Sequence, residues 1–189
     1  ARYDLITGEW LEWWTSGSGG LLDTNDITCL AIDRNPNQLW VGGTDGFQLL
    51  DVVNETEEVD IEKSSSIFSG NGDPIEIVIA GNVLYYISYY WYGDNVYRID
   101  LDNMTSLSSL DAGSQVGISG YMYGIGLVNG ILTIGVNAWG DSAAGAVARY
   151  DTVSKQWETT WEPTGSVERL TSYESSATGH LWVAWGSVS

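Results

Sequence analysis

Short apolar runs, each interrupted by Gly, Asn or Asp, follow one another along the whole chain. The runs are rich in β-branched and aromatic residues, which is typical of strands separated by hairpin turns. No window combines a 3.6-residue apolar period with capping residues, so we expect helix to be nearly absent. The pattern therefore predicts an all-β protein.

Two sequence markers recur along the chain with nearly the same period. Short strands that end in aspartate recur at spacings of 47, 49 and 51 residues, at Asp4, Asp51, Asp100 and Asp151. The leading leucines of a second series recur at spacings of 45, 48 and 49 residues, at Leu39, Leu84, Leu132 and Leu181. Agreement between two independent markers indicates a repeated supersecondary unit.

Each unit contains four predicted strands. The first unit has strands at 28–33, 38–43, 47–51 and 57–62; the second at 75–80, 83–88, 96–100 and 106–110; the third at 123–128, 131–136, 147–151 and 156–161. The fourth is split between 167–173 and 180–185 at one end of the chain and 1–4 and 9–14 at the other. Asn129-Gly130 and Asp45-Gly46 are predicted as two-residue hairpin turns with positive φ.

Units of four short antiparallel strands predict a β-propeller. We expect a single domain over residues 1–189 with four blades, and we expect the last blade to be closed by the N- and C-terminal strands. The blade units are about 15–62, 63–110, 111–161, and 162–189 together with 1–14. Two alternatives fit the same order of strands in the repeat: a dimer whose chains share half-blades in an eight-bladed ring, and a fragment of a larger propeller.

The first unit carries a recognisable repeat motif. Its stretch Ile27-Thr28-Cys29-Leu30-Ala31-Ile32-Asp33, followed by Leu39-Trp40-Val41-Gly42-Gly43-Thr44-Asp45-Gly46, resembles the propeller repeat of two-component regulator sensors. The Tyr-Asp…Trp units are similar in part to kelch repeats. The resemblance implies a propeller of the kind found in extracytoplasmic sensing or binding proteins, and it brings no catalytic residues with it.

The charge balance narrows the classes of partner. The chain has 25 Asp and Glu against 7 Lys and Arg, a net charge of −18. Phosphate binding needs clustered cations, so nucleic acid and anionic membrane surfaces are disfavoured as partners. The chain has no run of 18 apolar residues, so we do not expect it to insert into a membrane. Together with the resemblance, this acidity favours an extracellular or cell-surface protein that collects cations.

Nucleophilic catalysis has little support in this sequence. Cys29 is the only cysteine and lies in an apolar run, which predicts a buried, inert thiol. His180, the only histidine, begins a predicted strand, so a Ser-His-Asp or Cys-His arrangement is disfavoured. Paired carboxylates such as Asp94 and Asp141 remain an alternative, as the catalytic groups of a carbohydrate hydrolase or lyase.

One face of the propeller is the expected place for a site. Loops between the second and third strands share that face with loops that lead to the next blade. Asp45, Asp94 and Asp141 hold corresponding positions there, and a ring of carboxylates predicts a calcium site. The alternative is that each aspartate only stabilises a turn.

Aromatic residues on the same face point to sugar binding. Rings beside amide groups are typical of carbohydrate sites, and the candidates are Trp91, Tyr92, Asn95 and Trp139. Recurring tryptophans at equivalent repeat positions are instead expected to pack between blades: Trp10, Trp40, Trp157 and Trp182. The acidic run Asn54–Glu62 is interpreted as a solvated outer strand, and the alternative is a specific site for a basic partner.

The leading hypothesis is a non-enzymatic binding propeller with a protein, carbohydrate or calcium ligand on its loop face. The alternatives are the carbohydrate-active enzyme and a purely structural module of a larger surface protein. A closed monomer and a dimer that completes a larger ring are both compatible with the sequence.

Overall fold

The computed structural model describes residues 2–12, 14, 22, 26–70, 72–89, 95–138, 145–160, 171–175 and 180–184. The strands begin with β1 (Arg2–Asp4), β2 (Glu9–Glu12), β3 (Ile27–Ile32), β4 (Gln38–Gly43), β5 (Gly46–Asp51), β6 (Thr56–Glu62), β7 (Asp73–Ala80) and β8 (Val83–Tyr89). They continue with β9 (Asn95–Asp100), β10 (Thr105–Asp111), β11 (Gly120–Val128), β12 (Ile131–Ala138), β13 (Gly145–Asp151), β14 (Gln156–Trp157), β15 (Thr171–Ser175) and β16 (His180–Ala184). One short helix, α1 (Ala112–Val116), lies between β10 and β11.

The strands form successive antiparallel meanders. Blade A is β3-β4-β5-β6, blade B is β7-β8-β9-β10, and blade C is β11-β12-β13-β14. Among the described residues, β1-β2 and β15-β16 form two further sheets of two strands each. The all-β prediction and the four-stranded antiparallel blades are confirmed, whereas the number of blades in the ring and its closure by the chain ends stay predictions.

Every strand-terminal aspartate of the repeat begins the same hairpin turn. The carboxylate of Asp51 accepts the backbone N–H groups of Val53 and Asn54 at 2.8 and 2.9 Å. The carboxylates of Asp4, Asp100 and Asp151 likewise accept the backbone N–H groups of the residues two and three positions later in the chain. The residue that closes each turn has positive φ, namely Gly8, Glu55, Met104 and Lys155. The repeated aspartate is therefore a turn residue that fixes a hairpin.

These turn bonds also affect titration. Hydrogen bonds stabilise the ionised carboxylate, so they lower the pKa of Asp51, Asp100 and Asp151 below its usual value. The largest contribution comes from the residue three positions on, whether from its N–H (Asn54) or from its side chain (Asn103, Ser154).

The two predicted two-residue turns have different outcomes. Asn129 and Gly130 have φ of 51° and 79°, as a turn with two left-handed residues requires, so this prediction is confirmed. The Asp45-Gly46 turn is wrong by one residue. Thr44 and Asp45 form the loop, while Gly46 is the first residue of β5, where it pairs with Gly43 at a φ of 134°.

Apolar side chains between neighbouring blades form the core. The first strands of the blades pack in the order β3, β7, β11 and then β15. Between blades A and B, Trp40 is 1% exposed, and its indole N–H donates to the Asp33 carboxylate at 3.0 Å. Between blades B and C, Trp157 packs edge-on against Tyr150. The expected packing of these two tryptophans between blades is confirmed.

Trp10 does not follow that expectation. It holds the place of Trp157 in the repeat, yet its side chain is 62% exposed, so the prediction of burial is wrong for Trp10. Hairpin β1-β2 has no inner strands paired to it in the described part of the chain. In blade C, where β11 and β12 complete the sheet, Trp157 is partly buried and packs against the core between blades B and C. Trp182 lies in β16, where side chains are outside the description.

Tyr86 is the centre of the contact between blades A and B. Its ring is fully buried and lies 4.9 Å from Phe47 of blade A and 5.3 Å from Phe68 of the loop between the blades. Its hydroxyl accepts the backbone N–H groups of Ser69 and Gly70 at 3.1 and 3.0 Å. One side chain therefore joins two blades and fixes the loop between them.

Helix α1 was not anticipated, because the sequence pattern predicts almost no helix. Asp111 accepts the backbone N–H of Ser114 as an N-cap, and Gly117 ends the helix in the left-handed region. These capping residues are visible in the sequence, but five residues are too few to show a helical period. In the part of the chain that the structure describes, no helix has the length and apolar character needed to cross a lipid bilayer.

The left-handed turn residues give a first test. Glu55 has a φ of 56°, a conformation that costs a residue with a Cβ about 1 kcal/mol. Glu55→Gly is expected to raise the free energy of unfolding by about 0.5–1 kcal/mol, measured by urea denaturation. Glu55→Ala is the matched control, since it removes the same charge but keeps the Cβ. Equal stabilities of the two variants would contradict the account.

A second test removes the hydroxyl of Tyr86. Tyr86→Phe leaves the N–H groups of Ser69 and Gly70 without their acceptor, so we expect a loss of about 1–2 kcal/mol in the free energy of unfolding. Tyr150→Phe removes a hydroxyl from another buried tyrosine and serves as the control in the same thermal melts. A loss in Tyr150→Phe as large as that in Tyr86→Phe would show that the backbone bonds are not the cause.

Candidate functional site

The loop face is formed by the turns between second and third strands together with the segments that lead to the next blade. The carbonyl of Asp45, in the β4-β5 turn, accepts the backbone N–H of Lys63 at 2.7 Å. This bond ties a turn inside blade A to the segment between blades A and B. The predicted sharing of one face by these two loop types is confirmed for blade A.

An open cleft lies on this face at the edge of blade A. Its volume is about 480 Å³. We call it the acidic cleft, and it is lined by Thr44, Asp45, Asp60, Glu62, Lys63 and Ser64. The lining includes three carboxylates and one ammonium group, that of Lys63. This ammonium group forms a salt bridge with the Asp73 carboxylate at 2.6 Å. The cleft is therefore a region of negative potential that is open to solvent.

Strand β6 carries two of the carboxylates that line the acidic cleft. Asp60 and Glu62 lie on β6, where they alternate with Val59 and the buried Ile61. Because successive side chains of a strand point to opposite faces, the core contacts of Ile61 hold the carboxylates on either side toward solvent. The interpretation of Asn54–Glu62 as a solvated acidic strand is confirmed, but its position beside Asp45 was not foreseen.

The sequence-predicted site residues are only partly described. Asp45 lines the acidic cleft, and Asn95 begins β9, where its side chain accepts the Ser109 hydroxyl at 3.4 Å. The others lie outside the described residues, namely Trp91, Tyr92, Asp94, Trp139 and Asp141. Within the described residues, no group of three or more His, Cys, Asp and Glu is arranged to hold a metal ion. The calcium and sugar sites therefore stay predictions.

Cys29, a candidate nucleophile in strand β3, is buried. Its side chain is 9% exposed, and burial, as the main cause, raises the pKa of its thiol to about 11. The nearby Glu76 carboxylate raises it further. At neutral pH the group is therefore an uncharged thiol with little reactivity, as expected for a core cysteine.

The first strands of the three blades share a bulge that places one extra residue in each. The extra residues are Thr28, Ile75 and Tyr123, and they recur 47 and 48 residues apart. No residue type is common to them, so the bulge could not be predicted from the sequence. A bulge bends a strand and re-aims the side chains beside it.

Polar side chains next to the bulges connect one inner strand to the next. The hydroxyl of Thr28 in β3 donates to the Pro74 carbonyl of β7 and to the Gly42 carbonyl at 3.1 Å. The carboxylate of Glu76 in β7 accepts the Ile125 N–H of β11 at 2.8 Å. Blades A and B thus each satisfy a backbone group on the inner strand of the following blade. Sequence reasoning overlooked Glu76, although an isolated acid in the apolar run 75–80 was a visible signal.

Glu76 gives a pH-dependent test. Burial raises the pKa of its carboxyl above the ordinary glutamate value of 4.5, and the hydrogen bond from the Ile125 N–H offsets only part of that rise. A carboxyl whose pKa is higher in the folded than in the unfolded state costs stability as pH rises from the unfolded pKa through the folded one. We expect Glu76→Gln, which keeps an oxygen acceptor without the charge, to melt a few degrees higher than the parent at pH 7.

This difference should shrink as the pH falls below about 4.5, where the carboxyl is protonated in both states. Glu58→Gln removes one negative charge from the exposed strand β6 and controls for the relief of general repulsion. A gain in melting temperature at pH 7 that is equal in both variants would contradict a specific effect of Glu76.

Comparison with known proteins supports the fold. No family model and no curated protein matches the sequence. Among solved structures, the β-propeller domain of Cps50 (Swd1) from Myceliophteria thermophila is 13% identical with a TM-score of 0.65, and the match covers 97% of this chain and 54% of that one. The WD40 repeats of RRP9 are 12% identical with a TM-score of 0.52, covering 77% of this chain and 42% of that one.

Hydrazine synthase of Kuenenia stuttgartiensis is 17% identical with a TM-score of 0.55, covering 76% of this chain and 39% of that one. The chain thus spans about half or less of the length of each of these three structures. At these identities the likeness concerns the fold alone. The resemblances to two-component regulator and kelch repeats stay predictions, and the chain has the fold of a β-propeller whose solved neighbours include WD40 domains.

Proposed function

We propose that this protein is a non-enzymatic interaction module that binds a partner protein on the loop face, through the acidic cleft. The cleft itself carries the proposal: carboxylates of Asp45, Asp60 and Glu62 surround an open depression on a fixed backbone. Its charge complements a segment rich in Lys and Arg. Similarity to WD40 propeller domains supports the choice of a protein partner.

The shape of the cleft also favours a macromolecular partner. Small-molecule sites are typically concave and mostly apolar, and they bury most of the ligand. Here the lining is polar and the depression is open, so a peptide segment lying across it would keep its outer side in water. Binding of this kind depends on charge and is weakened by salt.

Two other ligands and two further properties are proposed from the sequence. A calcium ion on Asp45, Asp94 and Asp141 and a sugar on Trp91, Tyr92, Asn95 and Trp139 are further proposals for the same face. The enzymatic alternative depends on Asp94 and Asp141, which lie outside the described residues. An extracytoplasmic location likewise remains a proposal.

Charge removal at the cleft tests the proposed function. The combined substitutions Asp45→Asn, Asp60→Asn and Glu62→Gln are expected to weaken binding of fluorescein-labelled Lys/Arg-rich peptides about tenfold or more, measured by fluorescence anisotropy at low and high NaCl. The physical reason is the loss of the charges that attract the peptide, while the turn and strand remain.

The matched control removes three carboxylates from the other end of the same acidic run, at Glu55, Glu57 and Glu58. It changes the net charge by the same amount, so a general electrostatic effect would weaken binding equally in both variants. Equal weakening, or no preference for basic over acidic peptides, would disprove binding at the acidic cleft. Repeating the titrations in millimolar calcium checks whether a bound cation competes with the peptide.

A further inference from the structure

Hairpin β1-β2 has the construction of the outer half of a blade. Its turn begins at Asp4 just as the β13-β14 turn begins at Asp151, with two backbone N–H groups bonded to each carboxylate. The strand registers also agree. Tyr3 pairs with Trp10 and Asp4 with Glu9 in one hairpin; Tyr150 pairs with Trp157 and Asp151 with Gln156 in the other.

Hairpin β15-β16 has the construction of an inner half. Its first strand packs against β11, continuing the series in which β7 packs against β3 and β11 against β7. The described residues therefore contain three complete blades, with an inner half-blade beside blade C and an outer half-blade at the other end of the sequence.

Blade A has an apolar face that its equivalents do not expose. Leu30 of β3, Ile77 of β7 and Ile125 of β11 hold the same place after the inner-strand bulge. Ile77 and Ile125 are 4% and 2% exposed because the preceding blade covers them, whereas Leu30 is 56% exposed. Ile32, two residues along the same face, is 67% exposed. This is the surface on which a preceding blade packs elsewhere in the structure.

We propose that the β15-β16 hairpin of a second copy of this chain covers that face and pairs with β1, so that two copies close one ring. Each junction would then be a composite blade, with two inner strands from one copy and two outer strands from the other. The ring would hold six complete and two composite blades, within the range of about four to eight blades that propellers use.

The register of the composite blade follows from the complete ones. In every complete blade the residue before the leading leucine pairs with the turn aspartate, as in Gln38↔Asp51, Val83↔Asp100 and Ile131↔Asp151. The leucine itself pairs with the residue before that aspartate, as in Leu132↔Tyr150. Between copies, the same register pairs His180 with Asp4 and Leu181 with Tyr3.

The contacts of the inner strands favour a second copy over closure within one chain. In the described structure, β15 packs against β11 and β12, while the main contacts of β3 are with β4 and β7. The proposal concerns a different surface from the acidic cleft and does not depend on the proposed function.

Cross-linking tests the register and the partner together. In a Cys29→Ala background of the 189-residue chain, Tyr3→Cys and Leu181→Cys place two thiols at positions that would face each other across an antiparallel pair, where Cα atoms lie about 4.5–5.5 Å apart and a disulfide can form. Oxidation is expected to give a disulfide-linked dimer on a non-reducing gel, and light scattering twice the chain mass of 20.6 kDa. Tyr3→Cys with Val183→Cys, two residues out of register, is the control and should cross-link poorly.

Three outcomes would overturn the proposal. A monomer whose two cysteines form an internal disulfide would overturn the proposal in favour of a ring closed by one chain. A monomer without a cross-link would overturn it as well, and so would equal cross-linking of the out-of-register pair.

A second variant tests the apolar face without cysteines. Leu30→Lys is expected to weaken dimerisation about tenfold or more, because a charge would be buried in the junction. Leu5→Lys alters a leucine that is 90% exposed in the β1-β2 turn and should leave the dimer unchanged. Circular dichroism verifies that both variants remain folded, and an unchanged dimer in Leu30→Lys would disprove the proposed interface.

Discussion

The structure depends on the burial of apolar side chains between consecutive blades. A meander such as blade B is apolar on both faces: Ile77 and Tyr86 pack toward blade A, while Tyr85 and Ile87 pack toward blade C. Such a sheet cannot be stable by itself in water, because each uncovered face leaves large apolar side chains exposed. Every blade therefore requires a neighbour on each side, and the exposed Leu30 marks the place where the described neighbours end.

Directional bonds add precision to this packing. Apolar contact alone would allow blades to slide over one another, but Thr28 and Glu76 each bond a fixed backbone group on the next inner strand. Tyr86 does the same for the loop between blades A and B. Since buried polar groups are costly when unpaired, these bonds select one relative position of the blades.

The same arrangement determines where a ligand can bind. The faces between neighbouring blades are occupied by core packing, so the accessible polar groups lie on loops and on the outer strands. In blade A the carboxylates of β6 meet the turn that contains Asp45, and the result is a negative depression on a stable support. This depression, in a chain with a net charge of −18, is the feature from which the proposed binding of a basic partner follows.

Much of the fold was determined by the sequence alone. The strands of blades A and B were predicted to within about two residues, since alternating apolar residues and hairpin turns are local signals. The strand-terminal aspartates marked the hairpins because their carboxylates bond backbone groups only two and three residues away. Only the tertiary structure decided the inner-strand bulges, the bond from Ile125 to Glu76, the acidic cleft and the different exposures of Leu30 and Ile77. These features join residues that are distant in the chain. Two positions with the same sequence pattern therefore differ in side-chain exposure when a neighbouring blade covers one of them and not the other.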